Sequence, residues 1–311
     1  MKVAGLWDCP VEEQYEAPPG YYDEPYMYPF DFDMAAPALF GAPAMGLQVA
    51  LDGDSDFLLR RVVGAYNLSV AGPGGFVPGL QVYDAVGRKF FSQPIDPNQA
   101  WNADIALAPE KWYPASGQIW FDLALYNPSF RVSGPTPASG IFWGQMAFQG
   151  VRRFRGVLAK PTYTYKEKPF VYRAPQVTLN WNAYLWGGGL PLSPSAPQTF
   201  VVPVNDYDFE LLGMALVDAA TGAYPWALDP PFKMTLYNQV QKAVYRRPVL
   251  PCYIFANAWP GIMWSSFSPG IVYGAGSQIK FDIHSLLLAA DLGPPAPVYD
   301  IMFFGVRRIP V

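Results

Sequence analysis

The sequence predicts an all-β protein: two tandem homologous β-sandwich domains of jelly-roll-like type, preceded by an extended N-terminal arm. Three observations lead there. The first is an ordered internal repeat. Asp56-Phe57-Leu58-Leu59 returns as Asp208-Phe209-Glu210-Leu211-Leu212, and Leu80-Gln81-Val82-Tyr83-Asp84 as Met234-Thr235-Leu236-Tyr237-Asn238. Gly117-Gln118-Ile119-Trp120-Phe121-Asp122-Leu123 returns as Ser277-Gln278-Ile279-Lys280-Phe281-Asp282-Ile283. Each copy ends alike, in Phe148-Gln149-Gly150-Val151-Arg152-Arg153-Phe154 and Phe303-Phe304-Gly305-Val306-Arg307-Arg308-Ile309. The matches are 152, 154, 160 and 155 residues apart, so order is kept while loop lengths drift. A unit of about 110 residues is domain-sized and should own a core.

The second observation is punctuation. The 311 residues include 34 Pro and 28 Gly, set between short apolar runs. Helices tolerate this poorly, because Pro removes an amide donor and Gly costs backbone entropy. The third is alternation. Ile119, Phe121 and Leu123 alternate with Trp120 and Asp122, and Ile279, Phe281 and Ile283 repeat the phase. Val177, Leu179, Trp181, Ala183 and Leu185 form a further period-two face. Glu210 to Val217 and His284 to Asp291 are the best helical candidates, yet each is short and one abuts a Gly-Pro-Pro turn, which weighs against a helix.

In chain order, residues 1–45 form the arm. Between Asp8 and Asp33 lie eight acidic residues and no basic ones, interleaved with Tyr15, Tyr21, Tyr22, Tyr26, Tyr28, Phe30 and Phe32. Prolines at 10, 18, 19, 25 and 29 favour an extended chain that orders on a neighbouring surface. Residues 46–157 are the first sandwich and 196–311 the second. The connector, 158–195, has strand-like segments and carries Lys160, Lys166, Lys168 and Arg173 against Glu167, so opposite charge makes it a docking surface for an arm. Deleting residues 1–33 would test that pairing.

Composition limits function. Hydrophobic residues make up 51% of the chain and charged residues 15%, below the roughly 25% of an average soluble domain. With 21 Phe, 20 Tyr and 10 Trp, much of the surface is expected to be covered by neighbours. A formal net charge of −4 argues against a nucleic-acid surface, which needs a clustered basic field. No run reaches the roughly 18 apolar residues of a membrane helix, and no export signal is expected at the N-terminus. Cys9 and Cys252 are expected to be free thiols from a reducing compartment.

No catalytic, cofactor-binding or metal-binding residue is assigned. His284 is the single histidine, which removes most Ser/His/Asp and Cys/His schemes and multi-histidine metal sites. Its counterpart is Ala124, so it is expected to be structural or exposed. Asp52-Gly53-Asp54-Ser55-Asp56 opens like a calcium loop but lacks the downstream Gly and closing Glu, and is read as an acidic turn. Asp122 and Asp282 are equivalent positions in two copies, not facing partners in a hydrolase cleft. Gly72-Pro73-Gly74-Gly75 and Gly187-Gly188-Gly189 lack the context of phosphate loops and read as turns. Arg60-Arg61, Arg152-Arg153, Arg246-Arg247 and Arg307-Arg308 should each place one arginine toward solvent, to guard a sheet edge or meet a partner carboxylate.

The repeated Asp-Phe opening, the Tyr-Asp/Asn middle and the Gly-Val-Arg-Arg ending resemble tailed-bacteriophage virion structural proteins of the capsid decoration, head-fibre or minor capsid type. The resemblance covers both copies, but not the arm or connector. It implies a non-enzymatic virion component acting through protein-protein interfaces with other virion proteins and copies of itself, without nucleic acid, membrane or cofactor, made in the host bacterial cytoplasm. Where Gly87-Arg88 stands in copy one, Gln241-Lys242 stands in copy two, which puts the matching turn in doubt. A tandem jelly-roll major capsid protein is an alternative, with the arm as lattice clasp. Another is a tandem carbohydrate-binding protein stacking sugars on Trp101, Trp112, Trp181, Trp186, Trp259 or Trp264, although the copies do not place Trp at matching positions.

Overall fold

Fifteen strands and no α-helix make up the described residues of the computed structural model, which are 17–35, 44–71, 77–91, 106–126, 139–156, 164–179, 197–219, 232–251, 267, 270–285 and 298–311. The described residues are nearly all β. Its first sheet contains β1 (Tyr21–Ala35), β7 (Ser139–Arg155), β3 (Asp56–Ala71) and β5 (Ala106–Tyr113), antiparallel in the order β1-β7-β3-β5. The second contains β2 (Ala44–Ala50), β6 (Gln118–Tyr126) and β4 (Val77–Val82), in the order β2-β6-β4. Both sheets contribute to one core, in which Tyr28, Phe57, Leu59 and Phe148 of the first meet Val49, Leu80 and Phe121 of the second.

The second half repeats this order. Its larger sheet runs β13 (Ile271–Tyr273), β11 (Asp208–Asp218), β15 (Val298–Pro310), β8 (Tyr165–Arg173), and the short β9 (Val177–Thr178) also pairs with β15. Its smaller sheet runs β10 (Gln198–Pro203), β14 (Gln278–Ser285), β12 (Phe232–Tyr237). Counted within each half, with β8 and β9 together as first, the order is 1-7-3-5 in one sheet and 2-6-4 in the other, both times. Packing repeats as well. Phe121 and Phe148 have ring centroids 5.4 Å apart, as do Phe281 and Phe303. Tyr28 meets Phe57 edge-on at 4.9 Å, and Tyr172 meets Phe209 at 4.9 Å. Edge-on pairs of this kind add about 0.5–1.5 kcal/mol to the area term.

The alternation expected in the sixth strand of each half is present, with Ile119, Phe121, Leu123, Ile279, Phe281 and Ile283 all buried. The helical candidate Glu210 to Val217 is strand β11. Its buried residues, Phe209, Leu211, Met214 and Leu216, are spaced two, three and two because a bulge lies between Leu211 and Gly213. That extra residue breaks the period-two signal and imitates a helical one. Strand β3 has the same device between Leu59 and Arg61. His284 and Ser285 end β14, and the rest of the second helical candidate lies outside the described residues, as do residues 180–185 of the period-two stretch.

The arm also differs from expectation. Residues 21–35 form β1, paired along their whole length with β7 of the same chain, and not docked on the connector. Hydrogen bonding to β7 and burial of Tyr28 and Phe32 in the first core outweigh the charge attraction that pointed to the connector. The connector supplies the equivalent strand of the second half: β8 pairs with β15, Pro169 opposite Val306, as Pro25 lies opposite Val151.

Candidate functional site

The repeated motifs resolve into architecture. In the Gly-Val-Arg-Arg ending, Gly150 lies opposite Leu59 beside the bulge of β3, and Gly305 lies opposite Leu211 beside the bulge of β11. A Cβ on Gly150 would sit 1.9 Å from the Leu58 carbonyl oxygen, and one on Gly305 would sit 1.9 Å from that of Glu210. No real Cβ makes such a contact, so glycine is required there by close backbone approach. The Asp-Phe opening has a matching duty: Asp56 Oδ1 accepts the Ala115 amide at 2.9 Å, and Asp208 Oδ1 accepts the Ala275 amide at 2.9 Å.

The Tyr-Asp/Asn motif holds the fourth strand. Tyr83 donates to Asp122 at 2.5 Å while its carbonyl accepts the Tyr113 hydroxyl, and Tyr237 donates to Asp282 at 2.6 Å while its carbonyl accepts the Tyr273 hydroxyl. The bond to Asp122, with burial, pushes the Tyr83 phenol up to about 12; burial and Asp282 do the same to Tyr237. Asp84 and Asn238 then close identical turns. Their side chains accept the amides of Arg88 and Lys242, and their carbonyls accept those of Gly87 and Gln241. The turn that the Gly-to-Gln change placed in doubt is therefore kept, with Gly87 at φ 82° and Gln241 at φ 61°.

Two carboxylates of the calcium-like loop meet the Arg152 guanidinium and the third turns away. Asp54 pairs with Arg152, Asp52 lies 3.6 Å from Arg152 and accepts the Tyr28 hydroxyl at 3.2 Å, and Asp56 holds Ala115. Burial works against the Asp54 carboxylate, but the Arg152 guanidinium holds it below its ordinary value. Among the described residues no group of three His, Cys, Asp or Glu side chains is placed to hold a metal. His284 is half-buried on β14, 3.3 Å from Thr235 Oγ1, and burial pushes its imidazole down. The equivalent Asp122 and Asp282 serve separate cores. Of the tryptophans proposed to stack sugars, Trp112 is described and is 54% exposed; Trp101, Trp181, Trp186, Trp259 and Trp264 lie outside the described residues, as do both glycine stretches and both cysteines.

The arginine pairs at the two domain endings depart from the expected split between core and solvent. Arg153 forms a two-pronged pair with Asp23, at 2.8 and 2.7 Å, while Arg152 bonds Ser55 and lies over Tyr26. Arg307 lies 3.3 Å over the Phe170 ring and donates to Tyr172, and Arg308 pairs with Glu210 at 2.6 Å. Both arginines of each pair are thus held inside the chain, because the bulged larger sheet brings aromatic and acidic partners to both of its faces.

The candidate site is the junction between the halves, which sequence reasoning did not find. Even-numbered Tyr28 and Phe32 of β1 face the first core, so Met27 points to the opposite face of the sheet. There Met27 is 6% exposed and belongs to the core of the second half, together with Ala147 of β7. Met27 bridges Tyr245, and its carbonyl accepts the Arg246 amide at 3.4 Å. Beside it, Lys233 Nζ lies 2.6 Å from Asp31 Oδ1. Fully buried Gln145 donates to Asp31 at 2.8 Å and to the Pro248 carbonyl at 3.1 Å, and accepts the Leu250 amide at 3.0 Å. Arg246 also donates to the Ala50 carbonyl. This contact combines an apolar anchor with a bonded cluster of Asp31, Gln145 and Lys233, the composition of a specific protein interface, while the buried Tyr245 hydroxyl has no hydrogen-bond partner among the described residues.

No protein-family model and no curated protein matches the chain. Among solved structures, it is similar to a chain in the atomic structure of Sulfolobus turreted icosahedral virus, at 11% identity over 92% of this chain and 91% of that one. The TM-score is 0.24, a degree of likeness that carries no argument about fold or role.

Proposed function

We propose that this chain is a non-enzymatic virion structural protein, a coat subunit made of two copies of one jelly-roll sandwich and working through protein-protein interfaces. The observation that carries the reading is the strand order 1-7-3-5 over 2-6-4 in both halves, the interleaved pairing of a jelly roll closed over a single core. On this reading the first copy begins at β1 and the second at β8, so the arm and the connector are the leading strands of the two sandwiches. The repeated polar residues hold turns, edges and bulges, which suits a building block better than a chemical site. Scarce charge and abundant aromatics suit a subunit that buries much of itself against neighbours.

The sequence alone favoured an accessory role, as decoration or minor capsid protein. The junction favours the coat role, because two sandwiches already dock in it through a surface of the kind subunits use. The partners on this reading are copies of the chain and other virion proteins, and the location is the particle, after synthesis in the host bacterial cytoplasm. Negative-stain electron microscopy of the purified chain at rising concentration, with mass spectrometry of particles from producing cells, tests the proposal. Regular rings, sheets or shells and stoichiometric presence in particles are expected. A monomer absent from particles, or specific binding on a glycan array by Trp112, would overturn it.

A further inference from the structure

The junction uses a face of the first half whose counterpart in the second half is open. Strand registers align Met27 with Val171, Ala147 with Met302, and Gln145 with Asp300. Met27 is 6% exposed and Val171 is 53% exposed. Ala147 and Gln145 are fully buried, whereas Met302 and Asp300 are partly open. Asp300 Oδ2 takes Arg173 at 2.6 Å, but its Oδ1 is buried and has no hydrogen-bond partner among the described residues. The matching acceptor, Gln145 Oε1, receives a backbone amide from the other half. A buried acceptor without a donor is destabilising.

The covering element has a counterpart too. Tyr237 bridges Ala243 and Val244 donates to Leu236, as Tyr83 bridges Lys89 and Phe90 donates to Val82. Phe91 therefore stands where Tyr245 stands. In the second half Tyr245 is covered by Met27; in the first half Phe91 is partly exposed at the surface of its own core.

We propose that a second copy of this chain covers the Val171–Met302–Asp300 face with its segment Lys89-Phe90-Phe91, so that chains join head to tail by repeating the internal junction. The inference rests on reading the halves as copies. Such a contact is heterologous, and it closes into a ring if the rotation between halves divides a full turn. The two junctions differ in charge: burial pushes the Glu24 carboxyl up against the opposing fields of Arg152 and Lys242, whereas the counterparts of Glu24 and Lys242 are Lys168 and Arg88, two cations. Screening should therefore tighten the contact between chains.

The test places a photo-reactive p-benzoylphenylalanine at exposed position 171 in the full chain and mixes ordinary with ¹⁵N-labelled protein before irradiation. Linked peptides joining position 171 of one isotope to residues 89–91 of the other are expected. Val171→Asp should raise the dissociation constant between chains at least tenfold without lowering thermal stability, and raising salt from about 0.05 to 0.5 M should lower it. Oligomers whose links map elsewhere, or which ignore Val171→Asp, would overturn the inference and leave the coat reading standing. A chain that stays monomeric at every concentration and is absent from particles would overturn both.

Discussion

Strand β1 buries Met27 against the second half, whereas β8 leaves the corresponding Val171 in solvent, although the two strands share the pattern Tyr21-x-Asp23-x-Pro25-Tyr26-x-Tyr28 and Tyr165-x-Glu167-x-Pro169-Phe170-x-Tyr172. Inward, they behave alike: Tyr28 and Tyr172 insert beside Phe57 and Phe209, and Tyr26 and Phe170 lie under Arg152 and Arg307. Outward, one is covered and the other is open. Residues that build each core match between the halves, and residues on the outer face differ. The difference separates what the two cores require from what the junction requires.

The largest expected effect probes the shared part. Gly150→Ala and Gly305→Ala should each cost at least about 3 kcal/mol in urea unfolding, since backbone rather than a flexible side chain meets the added methyl. Equal losses sharpen the equivalence of the halves, and a tolerated substitution in either would break it. Next comes the junction, where the halves differ. Lys233→Ala should cost about 2 kcal/mol, less than a fully buried pair because Asp31 keeps 23% exposure and its bond from Gln145. Its counterpart is Gly79, so no matching lock exists on the other side, and a double-mutant cycle with Asp31→Asn should give a coupling of about 1 kcal/mol.

A smaller and opposite pair of effects is expected in the turns. Gly87→Gln should destabilise by about 1 kcal/mol and Gln241→Gly should stabilise by up to about 1 kcal/mol, because both positions have positive φ. The smallest effect is at His284. Burial disfavours its charged form, so the unfolded chain binds the proton first. Stability should be complete above about pH 7 and decline as pH falls through the unfolded value of about 6.5. His284→Gln should flatten that part of the profile in thermal melts; an unchanged slope would remove the imidazole from it.

Much of the sandwich was legible because it depends on local chemistry. Alternation in the sixth strands and the ordered motifs located both cores. The likeness of the leading strands was missed because their charges differ: Asp23 and Glu24 in one, Lys166 and Lys168 around Glu167 in the other, which drew attention to attraction rather than to the shared tyrosines and proline. The bulge at residue 212 is what made strand β11 a helical candidate. Asp52, Asp54 and Asp56 looked convergent in sequence, but Asp52 and Asp54 meet the Arg152 guanidinium and Asp56 holds the Ala115 amide. The junction was out of reach for another reason. Asp31 and Lys233 are 202 positions apart, and only the folded sheets bring them together. One signal did exist: Pro248-Val249-Leu250-Pro251 repeats the spacing of Pro94-Ile95-Asp96-Pro97, which extends the repeat through the covering segment.

The structure also changes how the arm should be tested. Removing residues 1–33 would delete most of β1 and the Tyr28 and Phe32 side chains from the first core, so loss of assembly would report misfolding. Removing residues 1–16 spares the whole of β1. The central claim, that this is a two-sandwich building block completed by its neighbours, is tested most directly by the mass of the full chain in solution. Light scattering over a concentration series should give a defined multiple of 34.4 kDa that Val171→Asp returns toward the single chain. A mass of 34.4 kDa at every concentration, unchanged by salt, would contradict it.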